Sequence, residues 1–274
     1  MRSFVYGALA VAGVIYVLPF ALAILTSFKS LPDFAANPSA LTFDSSRGSP
    51  TLDGIRGLDS RLILFPRWLL NSVIVTVCVV LGRVTLSALA GYSLARIRFP
   101  GYKAVFGLIL AVQMVPPIVL AIPRFLLLKE LGWINTYVGL ILPIMIDAMG
   151  VFLMKQFMEQ IPPEIEEAAT IDGATRLQTF VRVILPIARP AVITLTILAT
   201  VGVWNEFLHP LIATNRNDLR TLPVGLAQMR GQFGEATPWN TVMAASVLMT
   251  LPMAIIYFVF QRYFREGMSG AVKG

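Results

Sequence analysis

The sequence predicts an all-α integral membrane protein with six transmembrane helices. Of its 274 residues, 56% are hydrophobic and only 14% are charged, whereas a soluble globular protein has about 25% charged residues. The apolar residues form long runs, and a hydrocarbon core of about 30 Å needs about 20 such residues in a helix. Six runs satisfy this requirement, at residues 4–28, 68–95, 104–128, 136–154, 187–212 and 240–262.

The first run has two interpretations, a cleavable signal peptide or a retained span. A signal peptide has an apolar core of about 7–15 residues followed by a small-x-small cleavage site. Residues 4–28 form a longer run, and no such site follows it. We therefore expect a retained transmembrane helix.

Two stretches depart from the regular pattern of apolar runs and short connections. Prolines at positions 116, 117 and 123 predict that the third run is irregular, because proline removes a helical hydrogen bond. The connection 29–67 is rich in Gly, Pro, Ser and Asp. It is expected to be a polar loop without a clear fold of its own.

The distribution of basic residues indicates a membrane topology. The net charge of +7 could suggest nucleic acid as a partner, but the basic residues are scattered over short connections. They crowd the connection 96–103 and follow the last run. Basic residues near span ends favour the cytoplasmic side. This predicts a multi-pass protein of the cytoplasmic membrane with both termini and residues 155–186 in the cytoplasm, and with no nucleic acid partner.

The sequence offers no catalytic set and no metal site. Cys78 is the single cysteine and His209 the single histidine, so an intrachain disulfide or a multi-histidine metal site cannot form. The GxxxxGK[ST] pattern of a phosphate-binding loop does not occur. We expect a protein without enzymatic activity and without a cofactor of its own.

The charged segment, residues 162–186, separates the fourth and fifth runs and reads PPEIEEAATIDGATRLQTFVRVILP. Its two leading prolines and following glutamates suit a helix N-terminus, and Gly173 predicts a helix stop. A second helix is expected over about 174–183. Two interpretations remain open, a solvated amphipathic connector or a short helix whose shallow face fits a groove in a partner.

Charged residues that lie deep inside the apolar runs include Arg83, Asp147 and Glu206. Intramembrane charges are functional candidates by default. The alternative is that they hold helices together, for example through an ion pair between Arg83 and a carboxylate.

A solute pathway could be lined by Gln113, Trp204, Asn205 and Glu206. In one continuous helix, Asn205 and Glu206 would share a broad polar face with His209, and Trp204 would add a ring of the kind that stacks on sugars. A structural or gating role for these residues is the alternative.

The charged segment also resembles a family signature. EAA (residues 167–169), three residues, Gly173, nine residues and VILP (residues 183–186) match the signature loop of ABC importer permeases, with Val183 in place of isoleucine. The stretches LLNSVIVT, GYSLARIRFPG, WNEFLHPL and GAVKG resemble the carbohydrate-uptake branch, and most closely its maltose-permease G-type subunits. The resemblance extends over nearly the whole chain and weakens at residues 29–66.

This resemblance implies the type I ABC importer permease fold, with a coupling helix that docks on a cytoplasmic ATPase. The implied ATPase-coupling residues are Glu166, Glu167, Ala168, Ala169, Asp172, Gly173 and Pro186. The implied C-terminal ATPase contacts are Gly270, Ala271, Val272, Lys273 and Gly274. The implied partners are a second related permease, two copies of the ATPase, which bind ATP and Mg²⁺, and an extracytoplasmic solute-binding protein.

The expected function is therefore ATP-driven import of a sugar or sugar-like solute. Rivals are an ABC permease for glycerol-phosphate-type solutes, a stand-alone channel or secondary carrier, and a membrane scaffold. The signature argues against the carrier and the scaffold but does not separate the two kinds of solute.

Overall fold

The regular secondary structure is helical, which confirms the all-α prediction. The computed structural model describes residues 2–97, 99–233 and 237–271. Within these ranges β-pairing is limited to an isolated bridge between Asp59 and Leu64. The α-helices are α1 (Arg2–Ser27), α2 (Leu31–Ala36), α3 (Asp53–Arg56), α4 (Phe65–Tyr92), α5 (Tyr102–Gln113), α6 (Ala121–Glu130), α7 (Tyr137–Met145), α8 (Ala148–Glu159), α9 (Glu164–Ile171), α10 (Arg176–Thr179), α11 (Leu185–Ile187), α12 (Arg189–Trp204), α13 (Leu208–Ala213), α14 (Leu222–Phe233) and α15 (Trp239–Ala271).

The chain forms two compact units. The first contains the chain up to Asn71 together with Arg220–Ile256. The second contains Ser72–Leu219 together with the chain from Tyr257. The charged segment and every pathway candidate belong to the second unit.

Among the described residues, four helices are long and apolar enough to cross a membrane. They are Phe4–Ser27, Phe65–Ile97, Tyr137–Glu159 and Trp239–Gln261. Exposed apolar side chains cover α1, as expected for a helix surrounded by lipid. Several apolar helices are thus confirmed, and the count of six spans stays a prediction.

The third predicted run is not one helix. Helix α5 ends at Gln113 and α6 begins at Ala121. Pro116 and Pro117 explain the gap, since each lacks an amide hydrogen and restricts the residue before it. The expected irregularity is therefore observed. It leaves α5 with 12 residues, fewer than a span requires.

The fifth predicted run is also divided. Arg189–Trp204 is bent by 76° from the preceding helical stretch Arg176–Ile187. The helix stops at Trp204, and the chain resumes as α13 at Leu208. A continuous helix over residues 187–212 was the wrong expectation.

In the first unit, the connection 29–67 has local structure, contrary to the expectation of a loop without its own fold. Lys29 is completely buried, and its Nζ donates to the carbonyl oxygens of Asn37 at 3.0 Å and Ala40 at 2.8 Å. Nδ2 of Asn240 donates to the Lys29 carbonyl at 3.2 Å. A buried ammonium needs such partners, so the surrounding backbone is fixed around it. Sequence composition could not reveal that this lysine points inward.

In the second unit, an apolar cluster joins the charged segment to the end of α4, to α8 and to α12. Its buried members include Tyr92, Met154, Phe180, Ile184 and Leu195. Helices α4 and α8 approach closely here, because a Cβ on Gly91 would lie 2.7 Å from the Met154 Cβ. The inner side of the charged segment is therefore part of a closely packed apolar core.

Candidate functional site

Helix α9 forms where the prolines and glutamates predict it, and it ends where the glycine predicts. It carries Glu164, Glu166 and Glu167 in its first turn, where the helix dipole favours negative charge. Gly173 follows with φ of 82°, a left-handed conformation that glycine adopts without steric cost. The predicted stop at Gly173 is confirmed.

The second helix of the charged segment differs from the prediction. Thr175 and Gln178 form a capping box: the Thr175 amide donates to the Gln178 Oε1 at 2.9 Å, and the Gln178 amide donates to the Thr175 Oγ1 at 3.3 Å. This cap starts α10 at Arg176 rather than at residue 174. A π-helical turn, Phe180–Ile184, and then α11 lead to Pro186.

The outer face of the charged segment presents both charge and apolar surface. Ile171 is 86% exposed and Leu177 is 67% exposed. Glu167, Ala168, Asp172, Gly173 and Pro186 are also exposed, while Ala169 is half-buried. Exposed apolar side chains beside charged ones are typical of surfaces that bind another protein.

Glu166 has the opposite orientation. Its Oε1 lies 3.0 Å from the Arg96 Nε, and the two side chains are 21% and 12% exposed. The approach is ionic rather than a well-aligned hydrogen bond. The Tyr92 hydroxyl donates to the Glu166 Oε2 at 3.4 Å. Glu166 therefore faces its own chain, whereas the adjacent Glu167 faces outward.

Arg83 and Asp147 meet the two ends of a helix break. Nη2 of Arg83 donates to the Ile144 carbonyl near the end of α7 at 2.6 Å. The Asp147 carboxylate accepts from the Gly150 amide in the first turn of α8 at 2.9 Å. The proposed pairing of Arg83 with a carboxylate is not observed among the described residues. Both side chains instead bind backbone groups that the break leaves without helical partners.

The residues 204–209 surround a second helix break. The Glu206 carboxylate accepts from the His209 amide at 3.0 Å, at the start of α13. His209 is fully buried, and its Nε2 lies 2.9 Å from the Gly139 carbonyl. Asn205 is exposed, and its Nδ2 donates to the Val201 carbonyl at 2.9 Å. The single polar face expected of a continuous helix is therefore not formed.

Trp204 and Gln113 lie in different surroundings. Trp204 is 4% exposed, which favours a packing role over stacking against a sugar ring. Gln113 is exposed at the end of α5. No hydrogen bond joins Gln113 to residues 204–206 in the described part of the chain. Gln113 and Asn205 are exposed and Glu206 is half-buried, so these three stay predictions for the pathway.

The C-terminal candidates lie at and beyond the end of α15. Gly270 and Ala271 belong to its last turn. Val272, Lys273 and Gly274 lie outside the described residues. The contact with an ATPase that the resemblance implies for this tail stays a prediction.

Sequence reasoning did not identify Tyr92 and Arg96, two side chains that contact the Glu166 carboxylate. Both belong to GYSLARIRFPG, a stretch that carries the family resemblance, but neither of them was assigned an individual role. In the structure Arg96 lies in a π-helical turn, Ser93–Ile97, that extends α4. A rare π-helical turn often marks a functional site, but the sequence pattern does not predict it. The described residues form no cluster of three or more His, Cys, Asp or Glu able to hold a metal.

Sequence comparisons find a matching protein family and relatives that align over nearly the whole chain. Residues 84–270 match the family described as "Binding-protein-dependent transport system inner membrane component". The trehalose/maltose transport system permease protein MalG of Thermococcus litoralis is 36% identical and covers 98% of this chain and 96% of its own length. The arabinooligosaccharides transport system permease protein AraQ of Halalkalibacterium halodurans is 35% identical, covering 95% of this chain and 92% of its own.

Two further matches are a permease named for a different solute and a solved structure. The sn-glycerol-3-phosphate transport system permease protein UgpE of Agrobacterium fabrum is 33% identical over 74% of this chain and 72% of its own. A chain from a bacterial ABC transporter involved in import of the acidic polysaccharide alginate superimposes with a TM-score of 0.81, covering 96% of each chain at 22% sequence identity. This last match concerns the fold alone.

Proposed function

Because this chain belongs to the family of binding-protein-dependent transport system inner membrane components, the permease subunits of ATP-binding-cassette importers, we propose that its solute is a sugar or sugar-like molecule. Movement across the cytoplasmic membrane occurs by alternating access. Two copies of a partner ATPase, which bind ATP and Mg²⁺, drive the change. The observation that carries this proposal is the exposed face of α9 and Gly173, in a chain similar over nearly its full length to sugar permeases.

The coupling role is assigned to the outer face of the charged segment. Glu167, Ala168 and Asp172 present polar and small side chains there, while Ile171 and Leu177 supply exposed apolar area. Ala169 and Gly173 permit close backbone approach, and Pro186 returns the chain to the apolar helices. This face fits a groove of an ATPase, so residues 155–186 and both termini are cytoplasmic.

The remaining partners follow from the family. A second related permease completes the pathway, an extracytoplasmic binding protein delivers the solute, and the chain lies in the lipid membrane. Residues Gly270–Gly274 reach the ATPases on the cytoplasmic side. Gln113, Asn205 and Glu206 face the solute, and Trp204 supports them by packing.

The polar groups proposed for the pathway favour a neutral, hydroxyl-rich solute. Gln113 and Asn205 are uncharged hydrogen-bonding amides, and Glu206 accepts hydrogen bonds. A carboxylate would repel a phosphate ester by like-charge repulsion. A glycerol-phosphate-type solute is nevertheless the second candidate, because the UgpE relative is 33% identical over 74% of this chain.

The test is uptake into proteoliposomes that contain this chain, the second permease and the ATPase, with the binding protein outside the vesicles. Labelled maltose, trehalose, arabinooligosaccharides and sn-glycerol 3-phosphate are offered separately, with ATP inside. We expect ATP-dependent accumulation of one of the sugars. Accumulation of glycerol phosphate alone would favour the second candidate, and uptake by this chain without the ATPase would identify a stand-alone carrier.

A further inference from the structure

Arg96 connects two parts of the second unit that are distant in the chain, the end of α4 and residues 161–166. It extends from the π-helical turn Ser93–Ile97 at the end of α4. Its Nη2 donates to the carbonyl of Ile161, immediately before the charged segment. Its Nε lies 3.0 Å from the Glu166 carboxylate on α9. One guanidinium therefore contacts both the residue that precedes the charged segment and the first turn of α9.

This ion pair differs from three exposed ion pairs of the described residues. Arg47–Asp44, Arg56–Asp53 and Arg216–Asp218 join close neighbours in the chain, with side chains 37–76% exposed. Such exposed pairs contribute little because solvent screens them. Arg96 and Glu166 are 12% and 21% exposed and come from separate helical elements. Loss of either partner would leave the other charge poorly solvated.

Apolar packing beneath the pair holds the same elements together. The rings of Tyr92 and Phe180 lie 4.9 Å apart at an angle of 42°, within the range of favourable aromatic contacts. Tyr92 and Phe180 belong to the buried cluster, and Ile165 of α9 packs against it. The polar contacts of Arg96 thus add a directional link to a contact that is otherwise non-directional.

We propose that the Arg96–Glu166 pair is the tether through which displacement of α9 moves α4, with Arg96 as its positioning residue. The proposal rests on the proposed function, in which an ATPase pushes against the outer face of α9. Without the tether, α9 could tilt against the apolar cluster while α4 stays in place. With it, a push on α9 is transmitted into a helix of 28 residues.

The test compares Glu166→Ala with Glu159→Ala in the reconstituted importer. Both variants remove a glutamate from a helix, and alanine preserves helix propensity. Glu159 pairs with Lys155 at 2.6 Å, but both belong to α8, so that pair links no separate elements. ATP hydrolysis and solute uptake are measured together. We expect Glu166→Ala to lower the number of solute molecules moved per ATP about tenfold, within the usual range of site-to-site coupling, and Glu159→Ala to leave this ratio unchanged.

A double variant and a conservative variant complete the experiment. If the pair acts as one unit, Arg96→Met combined with Glu166→Ala should be no worse than the more damaging single variant. Arg96→Lys keeps the positive charge but cannot donate to two partners through a planar guanidinium. It should retain more solute movement per ATP than Arg96→Met but less than the wild type. If Glu166→Ala fails to assemble, Arg96→Lys replaces it in the comparison with Glu159→Ala.

The outcomes separate the tether from the proposed function. A wild-type complex without ATP-driven uptake would reject the function itself. A coupled wild type with an unchanged ratio in Glu166→Ala would reject the tether alone. Parallel loss of hydrolysis and uptake, with the ratio preserved, would reduce the pair to ordinary structural support and also overturn the proposal.

Discussion

Two regions of the second unit place charged side chains in opposite settings. At the helix breaks, Arg83, Asp147 and Glu206 bind backbone groups of their own chain at 2.6–3.0 Å. On the charged segment, Glu167 and Asp172 are exposed beside the apolar side chain of Ile171. Charged side chains thus bind the protein's own backbone in the first region, whereas in the second they face outward.

The difference follows from the surroundings of each region. Inside a membrane, a backbone group without a partner cannot turn to water, so a break in a helix requires a side chain to satisfy it. Outside the membrane, water solvates exposed charges at little cost, and they remain available to a partner. The polar groups of the first region therefore satisfy the backbone at helix breaks, and those of the second are free for the partner contact proposed above.

Gly173→Val should reduce transport more than the other variants, because it changes the backbone conformation of the charged segment. Open space surrounds Gly173, but its φ of 82° strains any L side chain, and a β-branched one most. We expect membrane insertion to persist while solute-stimulated ATP hydrolysis and uptake fall to background. Both are measured in the reconstituted complex.

Gly173→Asn is the matched control, since asparagine tolerates the left-handed conformation. It should retain most of the uptake. Normal stimulation in Gly173→Val would show that this turn is not part of the coupling surface, and the contrast between the two regions would lose its functional meaning.

Ile171→Ser tests whether the exposed apolar area binds the ATPase. Burying an isoleucine contributes about 1.5–3 kcal/mol, and about 1.4 kcal/mol corresponds to tenfold in affinity. We expect ATPase binding, measured by titration with the purified ATPase, to weaken at least about tenfold. Ile122→Ser on α6 is the control, because Ile122 is 73% exposed outside the charged segment. Equal binding by both variants would contradict the assignment.

Glu206→Ala asks whether the helix breaks serve transport as well as architecture. Loss of its acceptor frees the His209 amide, and loss of an N-terminal cap costs about 1 kcal/mol. We expect uptake to fall about fivefold, consistent with that free energy, while Glu206→Gln, which keeps an acceptor oxygen, retains most of it. Glu130→Ala, at the exposed end of α6, should have no effect on uptake. Failure of Glu206→Gln as severe as that of Glu206→Ala would show that the charge itself contacts the solute.

The sequence predicted α9 well because its signals are local. Prolines and glutamates mark the start of α9, and a glycine marks its end, within a few residues of the groups they affect. The all-helical class and the irregular third run also followed from composition and proline positions. These features require no knowledge of which distant residues come together.

The polar groups of the apolar runs were predicted less well because their partners are distant and belong to the backbone. The Ile144 carbonyl that binds Arg83 cannot be recognised from residue type, and neither can the Gly139 carbonyl beside His209. The inward orientation of Glu166 depends on Arg96, which lies far away in the chain. The same limit explains the connection 29–67, where the burial of Lys29 becomes evident only in three dimensions.

Asp147→Ala should have the smallest effect, and it examines the inward region without involving a partner. The carboxylate accepts from the Gly150 amide at 2.9 Å at the start of α8, and loss of such a cap costs about 1 kcal/mol. For a chain of this size, that lowers the midpoint of thermal unfolding by about 2–3 °C, measured on the purified subunit in detergent. Asp147→Asn keeps an acceptor oxygen and should unfold at nearly the wild-type temperature. Unchanged stability in Asp147→Ala combined with lost uptake would assign Asp147 to the solute pathway, and charges at helix breaks could then no longer be interpreted as architectural alone.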